Sequence, residues 1–338
     1  MKRALVTGSA GFIGYHLSKL LLERGWQVTG LDVFSDYYDV GLKRRRHEML
    51  AGPAFAEVEA SVATPGRVRD LMAEERPDAV IHLAAQAGVR YSIDAPREYV
   101  EANLDGTFEV LEAARATKPS HLLMASTSSV YGAGTDMPYR ETMKVDTQLS
   151  FYAATKKANE AMAHSYAHLY GIPTTMFRFF TVYGPWGRPD MAPFKFVRAV
   201  LADAPIDVYN HGRMRRDFTY VTDLVEGIAD LIDVPPGTEP VSARDSLSPV
   251  APHRIVNIGN GETIELGRFI EAIEAATGKT ARRNLMDMQP GDVGATWADT
   301  GLLTDLLGRP LRRTSVEDGM RAFVEWYRAE YGGAAESR

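Results

Sequence analysis

Cysteine is absent from all 338 residues, which excludes disulfides, thiolate metal sites and cysteine nucleophiles. The eight histidines make no recognisable zinc signature, so no metal is expected. No uncharged apolar run approaches the roughly 20 residues that cross a bilayer. Met1-Lys2-Arg3-Ala4-Leu5-Val6-Thr7-Gly8 enters a strand-like pattern at once, with no room for a signal peptide or an anchor. A cytoplasmic protein is expected. Basic charge is also short: 38 Lys and Arg stand against 44 Asp and Glu, a net charge of −6. That balance makes nucleic acid and anionic membranes poor partners, while local sites for small anions stay open.

What is present is an ordinary globular composition, 45% hydrophobic and 24% charged, long enough for one large domain or two intimate ones. Short β-branched runs alternate with longer helical patterns. Ala4-Leu5-Val6, Gln27 to Asp32, Ala79 to Leu83, His121 to Ser126 and Pro173 to Phe180 read as strands. Phe12 to Arg24, Arg97 to Ala116, Phe151 to Tyr170 and Ser315 to Tyr331 read as helices. Strands alternating with helices predict an α/β fold, a doubly wound parallel sheet covered on both faces. After about residue 180 the elements become shorter and more mixed. Residues 235–252 hold five prolines and three serines and read as an exposed excursion.

Two local patterns carry chemistry. Thr7-Gly8-Ser9-Ala10-Gly11-Phe12-Ile13-Gly14 joins the first strand to the first helix with GxxGxxG spacing. Such a turn lets a pyrophosphate approach backbone amides at a helix N-terminus. The second strand ends in Asp32, whose carboxylate suits an adenosine ribose diol and repels a 2′-phosphate, so NAD is expected rather than NADP. The other pattern is Tyr152-Ala153-Ala154-Thr155-Lys156. Positions i and i+4 share a helix face, and a lysine there predicts a tyrosine pKa lowered towards that of a working base. Tyr15 and Lys19 show the same spacing and read as surface residues. What separates the pairs is Ser126-Thr127-Ser128-Ser129, a hydroxyl run at a strand end. Thr127 can polarise a substrate oxygen and relay its proton.

With these motifs in place the chain resembles the extended short-chain dehydrogenases/reductases, among them the nucleotide-sugar epimerases, and most of all the UDP-glucuronate 4-epimerases. The likeness spans nearly the whole chain: Asp36 to Asp39, His82 to Ser92, Tyr152 to Glu160, Arg178 to Ala192, Arg216 to Val221 and Gln289 to Val293. It implies a Rossmann NAD-binding domain over residues 1–180. A smaller substrate-binding domain over 181–338 follows, with segments at about 215–235 and 253–260 returning to the first. It implies Thr127, Tyr152 and Lys156 as the catalytic set. Gly8, Gly11, Phe12, Ile13, Gly14, Asp32, Lys43, Leu83, Ala84 and Ala85 would line the NAD site with Tyr152 and Lys156, and Asn103 would stand near the nicotinamide. Arg216 would hold the diphosphate of a UDP-sugar, Tyr209 the uracil and Asp292 the uridine ribose. Ser128, Ser129, Thr181 and Arg188 would face a sugar carboxylate, with Arg90 also in the site. A homodimer is the family expectation.

The implied reaction is inversion at C4 of UDP-glucuronic acid through a transient 4-keto sugar, giving UDP-galacturonic acid. The alternatives are a UDP-glucose/UDP-galactose 4-epimerase, a UDP-glucuronate decarboxylase, or a sensor that binds NAD and a nucleotide sugar without turnover. Decarboxylases resemble Thr-Ser-Glu where this chain has Thr127-Ser128-Ser129, and a neutral hexose has no use for Arg188. Two departures stand out. Similar proteins carry an Asp that would contact the adenine where this chain has Ser61, and the 235–252 stretch reads as an insertion. The run Lys43-Arg44-Arg45-Arg46 reads as a solvated helix face, with only Lys43 reaching the cofactor.

Overall fold

The apolar runs of the first 180 residues become strands buried on both faces: every residue of Ala79–His82 and Thr174–Phe179 is buried. The computed structural model describes residues 1–289 and 293–332. In chain order these are Arg3–Thr7 (β1), Phe12–Glu23 (α1), Gln27–Asp32 (β2), Val40–Glu48 (α2), Phe55–Glu59 (β3), Arg67–Glu75 (α3) and Ala79–His82 (β4). Tyr91–Asp94 (α4) and Pro96–Tyr99 (α5) lead through a wide turn at Val100–Asp105 into Gly106–Thr117 (α6). His121–Thr127 (β5), Phe151–Tyr170 (α7), Thr174–Phe179 (β6) and Thr181–Tyr183 (β7) follow. Then come Ala192–Leu201 (α8), Pro205–Val208 (β8), Arg215–Arg216 (β9), Phe218–Tyr220 (β10), Val221–Leu231 (α9) and His253–Ile258 (β11). The rest are Ile264–Glu265 (β12), Leu266–Thr277 (α10), Arg282–Leu285 (β13), Gly301–Leu307 (α11) and Val316–Tyr331 (α12).

Seven strands form one parallel sheet in the order β3-β2-β1-β4-β5-β6-β11. Leu17 and Leu21 of α1 pack with Leu224 and Ile228 of α9 and Leu302 of α11 over one face. Leu71 of α3, Val110 and Leu111 of α6 and Ala163 of α7 cover the other. This is the doubly wound arrangement, and strand order reverses between β1 and β4, where such sheets open a crevice at their carboxyl ends. A separate apolar cluster of α8, α10 and α12, with Phe194, Phe218, Phe269 and Phe323 at its heart, stands over that crevice.

Helix α7 is the scaffold of the site. Ser150 caps it by accepting from Ala153 N at 3.1 Å, and Gly171 ends it at φ +64. The single helix expected over 97–116 is instead interrupted by the wide turn at Val100–Asp105. That turn carries Asn103, fully buried, where it bonds two other segments.

The proline-rich stretch is mostly exposed, as its composition predicts, and it is also anchored to the sheet. Asp245 forms a buried two-bond ion pair with Arg254 of β11, Nε–Oδ1 2.9 Å and Nη2–Oδ2 3.0 Å. Ser246 Oγ accepts from Ile255 N at 3.0 Å and donates to Ile255 O. The segment thereby covers the edge of β11, whose backbone groups would otherwise be open to pairing. His164 and His168 of α7 hold it from the other side, through Ser248 Oγ at 2.8 Å and Val250 O at 2.7 Å. These two form an HxxxH pair, and one ring nitrogen of each, Nε2 of His164 and Nδ1 of His168, is taken up by this packing.

A buried carboxylate ties the same sheet edge to the loop after β5. Glu141 accepts from Asn257 N at 2.8 Å. Burial, opposed by that hydrogen bond, pushes its pKa from 4.5 up to about 7. Between those values the folded chain keeps a proton that the unfolded chain releases, so stability falls as pH rises through that window. Glu141→Gln, which keeps the accepting oxygen, is expected to remove this slope. Melting temperatures of the two proteins should diverge in the variant's favour from pH 4.5 to about 7. Parallel curves would refute the assignment.

Candidate functional site

The turn after β1 is built on close approach. Gly8 has φ +73, and a Cβ there would lie 2.7 Å from Ala84 N. A Cβ on Gly14 would lie 2.0 Å from Gly8 O. Glycine is required at both, and the result is a bare backbone cradle at the start of α1, where no side chain caps the helix. Asp32 closes one side. Its Oδ2 accepts from Ala10 N at 3.0 Å and its Oδ1 from Phe34 N at 2.8 Å. Lys43 is almost fully buried and donates to Ser35 O and Oγ at 2.5 and 2.9 Å. Burial lowers its pKa, against the pull of the Asp32 charge. Ser61 Oγ accepts from Ala63 N at 3.2 Å and also lines this region. A tight backbone turn with no room for a Cβ, beside a carboxylate at the strand end, fits a dinucleotide.

Further along the sheet, β5 delivers Thr127 and α7 delivers Tyr152 and Lys156. Thr127 Oγ1 accepts from Ser129 N and donates to Ser129 Oγ, both at 3.2 Å. The Tyr152 pKa is raised by burial, while a hydrogen bond with Thr127 and the charge of Arg188 act downwards. This corrects the expectation that Lys156 lowers it. Lys156 is buried, its Nζ donates to Ala125 O at 3.1 Å, and burial alone brings its pKa down to about 8. In the ligand-free chain desolvation outweighs the charge pairing that the i, i+4 spacing promised.

On the facing side, β7 and the loop after it bring Thr181 and Arg188 to the same cleft, with Ser128 and Ser129 beyond Thr127. Arg188 makes a two-bond ion pair with Asp190, Nε–Oδ1 3.0 Å and Nη2–Oδ2 2.6 Å. The Arg90 guanidinium stacks 4.7 Å from the Tyr209 ring centre. Arg216 Nη1 donates to Arg215 O at 3.0 Å and Gly294 O at 3.3 Å. Its neighbour Asp217 is buried and accepts from Asn260 N, Gly261 N and Ala298 N at 2.7, 3.0 and 3.1 Å. Burial raises the Asp217 pKa to about 6, against those hydrogen bonds.

One cleft of ≈ 1470 Å³ is lined by Gly8, Gly11, Phe12, Ile13, Gly14, Asp32, Lys43, Leu83, Ala84, Ala85, Arg90, Thr127, Ser128, Ser129, Tyr152, Lys156, Thr181, Arg188, Tyr209 and Arg216. Asn103 stands behind its wall. Its side chain accepts from Gln86 N at 2.8 Å and donates to Gln86 O at 3.1 Å and Thr155 Oγ1 at 3.0 Å. It therefore acts on the site through the loop after β4 rather than by contact. Asp292 lies outside the described residues.

Residues 4–242 match the NAD dependent epimerase/dehydratase family. The chain belongs to that family. It is 51% identical over 335 residues to a probable UDP-glucuronate 4-epimerase of Rhizobium meliloti (strain 1021), covering 97% of this chain and 98% of the relative. It is 41% identical to UDP-glucuronate 4-epimerase 6 of Arabidopsis thaliana, covering 97% of this chain and 72% of the relative. The crystal structure of UDP-glucuronic acid 4-epimerase from Bacillus cereus with UDP-glucuronic acid and NAD superposes with a TM-score of 0.87 at 31% identity, covering 97% of this chain and all of that one.

As an NAD-dependent epimerase/dehydratase the chain shows two supports that the sequence did not announce. Arg46 is completely buried, not part of a solvated face. It donates to Ala10 O at 2.8 Å in the glycine turn, to Tyr38 Oη at 2.9 Å and to Trp186 O at 2.6 Å. One guanidinium thus fastens the cofactor turn to the loop that carries Arg188. The other support is Glu160, one helical turn beyond Lys156, bonded to Arg178 through Nε and Nη2 at 2.9 Å each and accepting from Ser126 Oγ at 2.7 Å. A helical-face count on α7 could have found Glu160, since positions 152, 156 and 160 share one face. Nothing in the basic run distinguishes Arg46 from Arg44 and Arg45.

Proposed function

We propose that the chain is an NAD-dependent UDP-glucuronate 4-epimerase, an isomerase that interconverts UDP-glucuronic acid and UDP-galacturonic acid. The observation that carries this is one cleft holding Thr127, Tyr152 and Lys156 opposite Arg188, with no carboxylate at 128 or 129. When bound, NAD supplies the reversible removal and return of hydrogen at C4. Tyr152 Oη takes the proton of the 4-hydroxyl and returns it, with Thr127 as its hydroxyl partner. Lys156, buried below it, favours the phenolate once its own proton is held. Arg216 grips the diphosphate by its planar fork, so the sugar turns over without leaving. A 4-keto uronic acid is a β-keto acid and loses carbon dioxide when its carboxylate bond aligns with the ketone. Ser128, Ser129, Thr181 and Arg188 hold the carboxylate out of that alignment, which is control by orientation.

An NMR time course with UDP-glucuronic acid and no added nucleotide tests this. Conversion to UDP-galacturonic acid without carbon dioxide is the expected result. A UDP-pentose with carbon dioxide would make the chain a decarboxylase, and no conversion even with added NAD would remove the reading. We also propose a cytoplasmic homodimer. No helix of the described residues is long and apolar enough to cross a membrane. Phe108 of α6 and Phe151 and Leu169 of α7 are exposed, offering adjacent helices as the contact. Sedimentation velocity at micromolar protein should show one dimeric species; a monomer would refute it.

A further inference from the structure

Asp190 is a charged group of the cleft, paired with Arg188, to which the reaction above gives no task. It takes the side edge of the Arg188 guanidinium through Nε and Nη2, at 3.0 and 2.6 Å. Nη2 also donates to Ala87 O at 3.3 Å. A guanidinium carries five N–H groups, so the bonds to Asp190 and Ala87 leave Nη1 outside the ion pair, with the Tyr37 hydroxyl as the other side-chain neighbour of the guanidinium. From the other wall, Tyr37 Oη donates to Asp190 Oδ2 at 3.4 Å, and the Tyr37 ring lies 5.8 Å from the guanidinium. The ion pair is 19% and 25% exposed and lines the cleft. It is therefore fixed from both sides, close to neutral as a unit, and within reach of a ligand.

We propose that Asp190 is a specificity-setting positioning residue, which neutralises Arg188 before substrate arrives and leaves Nη1 alone to grip the sugar carboxylate. This rests on the reading of Arg188 given above. A bare guanidinium would take a carboxylate by a two-nitrogen fork, the tight arrangement. Tightness in the ground state does not speed a reaction, and here it would oppose a sugar that must exchange faces while its diphosphate stays held. A grip through one nitrogen gives up affinity and permits the turn. It also limits how strongly a charged sugar is preferred to a neutral one, because Asp190 competes for the same cation.

Asp190→Asn tests it, since asparagine keeps the shape and one accepting oxygen but loses the charge. Kd for UDP-glucuronic acid and for UDP-glucose is measured by calorimetry on the NAD-loaded wild type, Asp190→Asn, Arg188→Gln and the double variant. In Asp190→Asn the preference for the uronic acid should rise roughly tenfold. Its kcat should fall while KM falls, and the NAD Kd and melting temperature should hold. The double variant should match Arg188→Gln. Asp190→Ser should move the preference in the same direction, which covers the case that asparagine disturbs the loop. If Arg188→Gln leaves the preference at the wild-type value, the carboxylate reading of Arg188 fails and this proposal with it. If Arg188→Gln lowers the preference but Asp190→Asn and Asp190→Ser leave it unchanged or lower, the role of Asp190 alone is overturned.

Discussion

Tyr152→Phe is expected to lower the turnover of UDP-glucuronic acid by roughly 10²–10⁴-fold, the range for removing a general base, while both nucleotides still bind. The ring contributes packing that phenylalanine keeps: it meets Tyr99 edge-on, with centroids 6.1 Å apart. Only Oη is lost, and with it the hydrogen bond to Thr127 and the one atom placed to hold the 4-hydroxyl proton. In the ligand-free chain burial keeps Tyr152 above its ordinary pKa, so it rests as a neutral phenol at neutral pH. Its work as a base therefore depends on positive charge gathered around it when the site is loaded. Lys156, with a pKa of about 8 in the ligand-free chain, is the group on α7 able to supply some of it. Product formation followed by NMR, with Kd for NAD and UDP-glucuronic acid by calorimetry, separates the two effects. Turnover within tenfold of wild type would show that another group carries the proton.

How much of this was legible beforehand differs by the range of the interaction. The glycine turn, Asp32, Thr127, Tyr152 and Lys156 are read from short spacings within single strand–helix units, and the cleft brings them together. Strand Gln27–Asp32 and helix Phe151–Tyr170 have the bounds that periodicity predicts, because the strand is buried from Val28 to Leu31 and the helix keeps a buried face along its length. What escaped was set by contacts across the chain. Arg46 bonds Trp186 at a separation of 140 residues, and Tyr37 bonds Asp190 at 153. Burial of one arginine in a run of four basic residues leaves no mark on local pattern. In the proline-rich stretch composition registers the exposure and the turns but not the buried Asp245–Arg254 pair that anchors it. The direction of the Tyr152 shift was missed for the same reason: spacing shows the neighbouring charge but not the loss of water.

Arg178→Met is expected to destabilise the fold by about 3–5 kcal/mol, the usual cost of leaving one partner of a buried ion pair uncompensated. The Arg178 and Glu160 side chains are each 1% exposed. Burial acts to raise the Glu160 pKa, yet the hydrogen bonds and charge of Arg178 hold it below the ordinary carboxylate value. In the wild type this pair adds stability above that ordinary value, and the gain is lost as pH falls through the lowered pKa. Without Arg178 the burial effect prevails, the carboxyl pKa moves above its ordinary value, and stability instead rises as pH falls. Lys157, 3.3 Å from Glu160 and partly exposed, offsets part of the loss and favours the lower end of the range. Urea unfolding at two pH values checks the sign. The double variant Glu160→Gln/Arg178→Met should recover part of the stability, because no buried charge then stands alone. A double variant no more stable than the single one would exclude the pair as the cause. The effect should also reach the chemistry, since Glu160 accepts from Ser126 Oγ at 2.7 Å, one residue before Thr127 and one helical turn from Lys156. The two Arg178 bonds fix β6 against Glu160 of α7, and the Ser126 bond to the same carboxylate adds the end of β5, where the proton is handled.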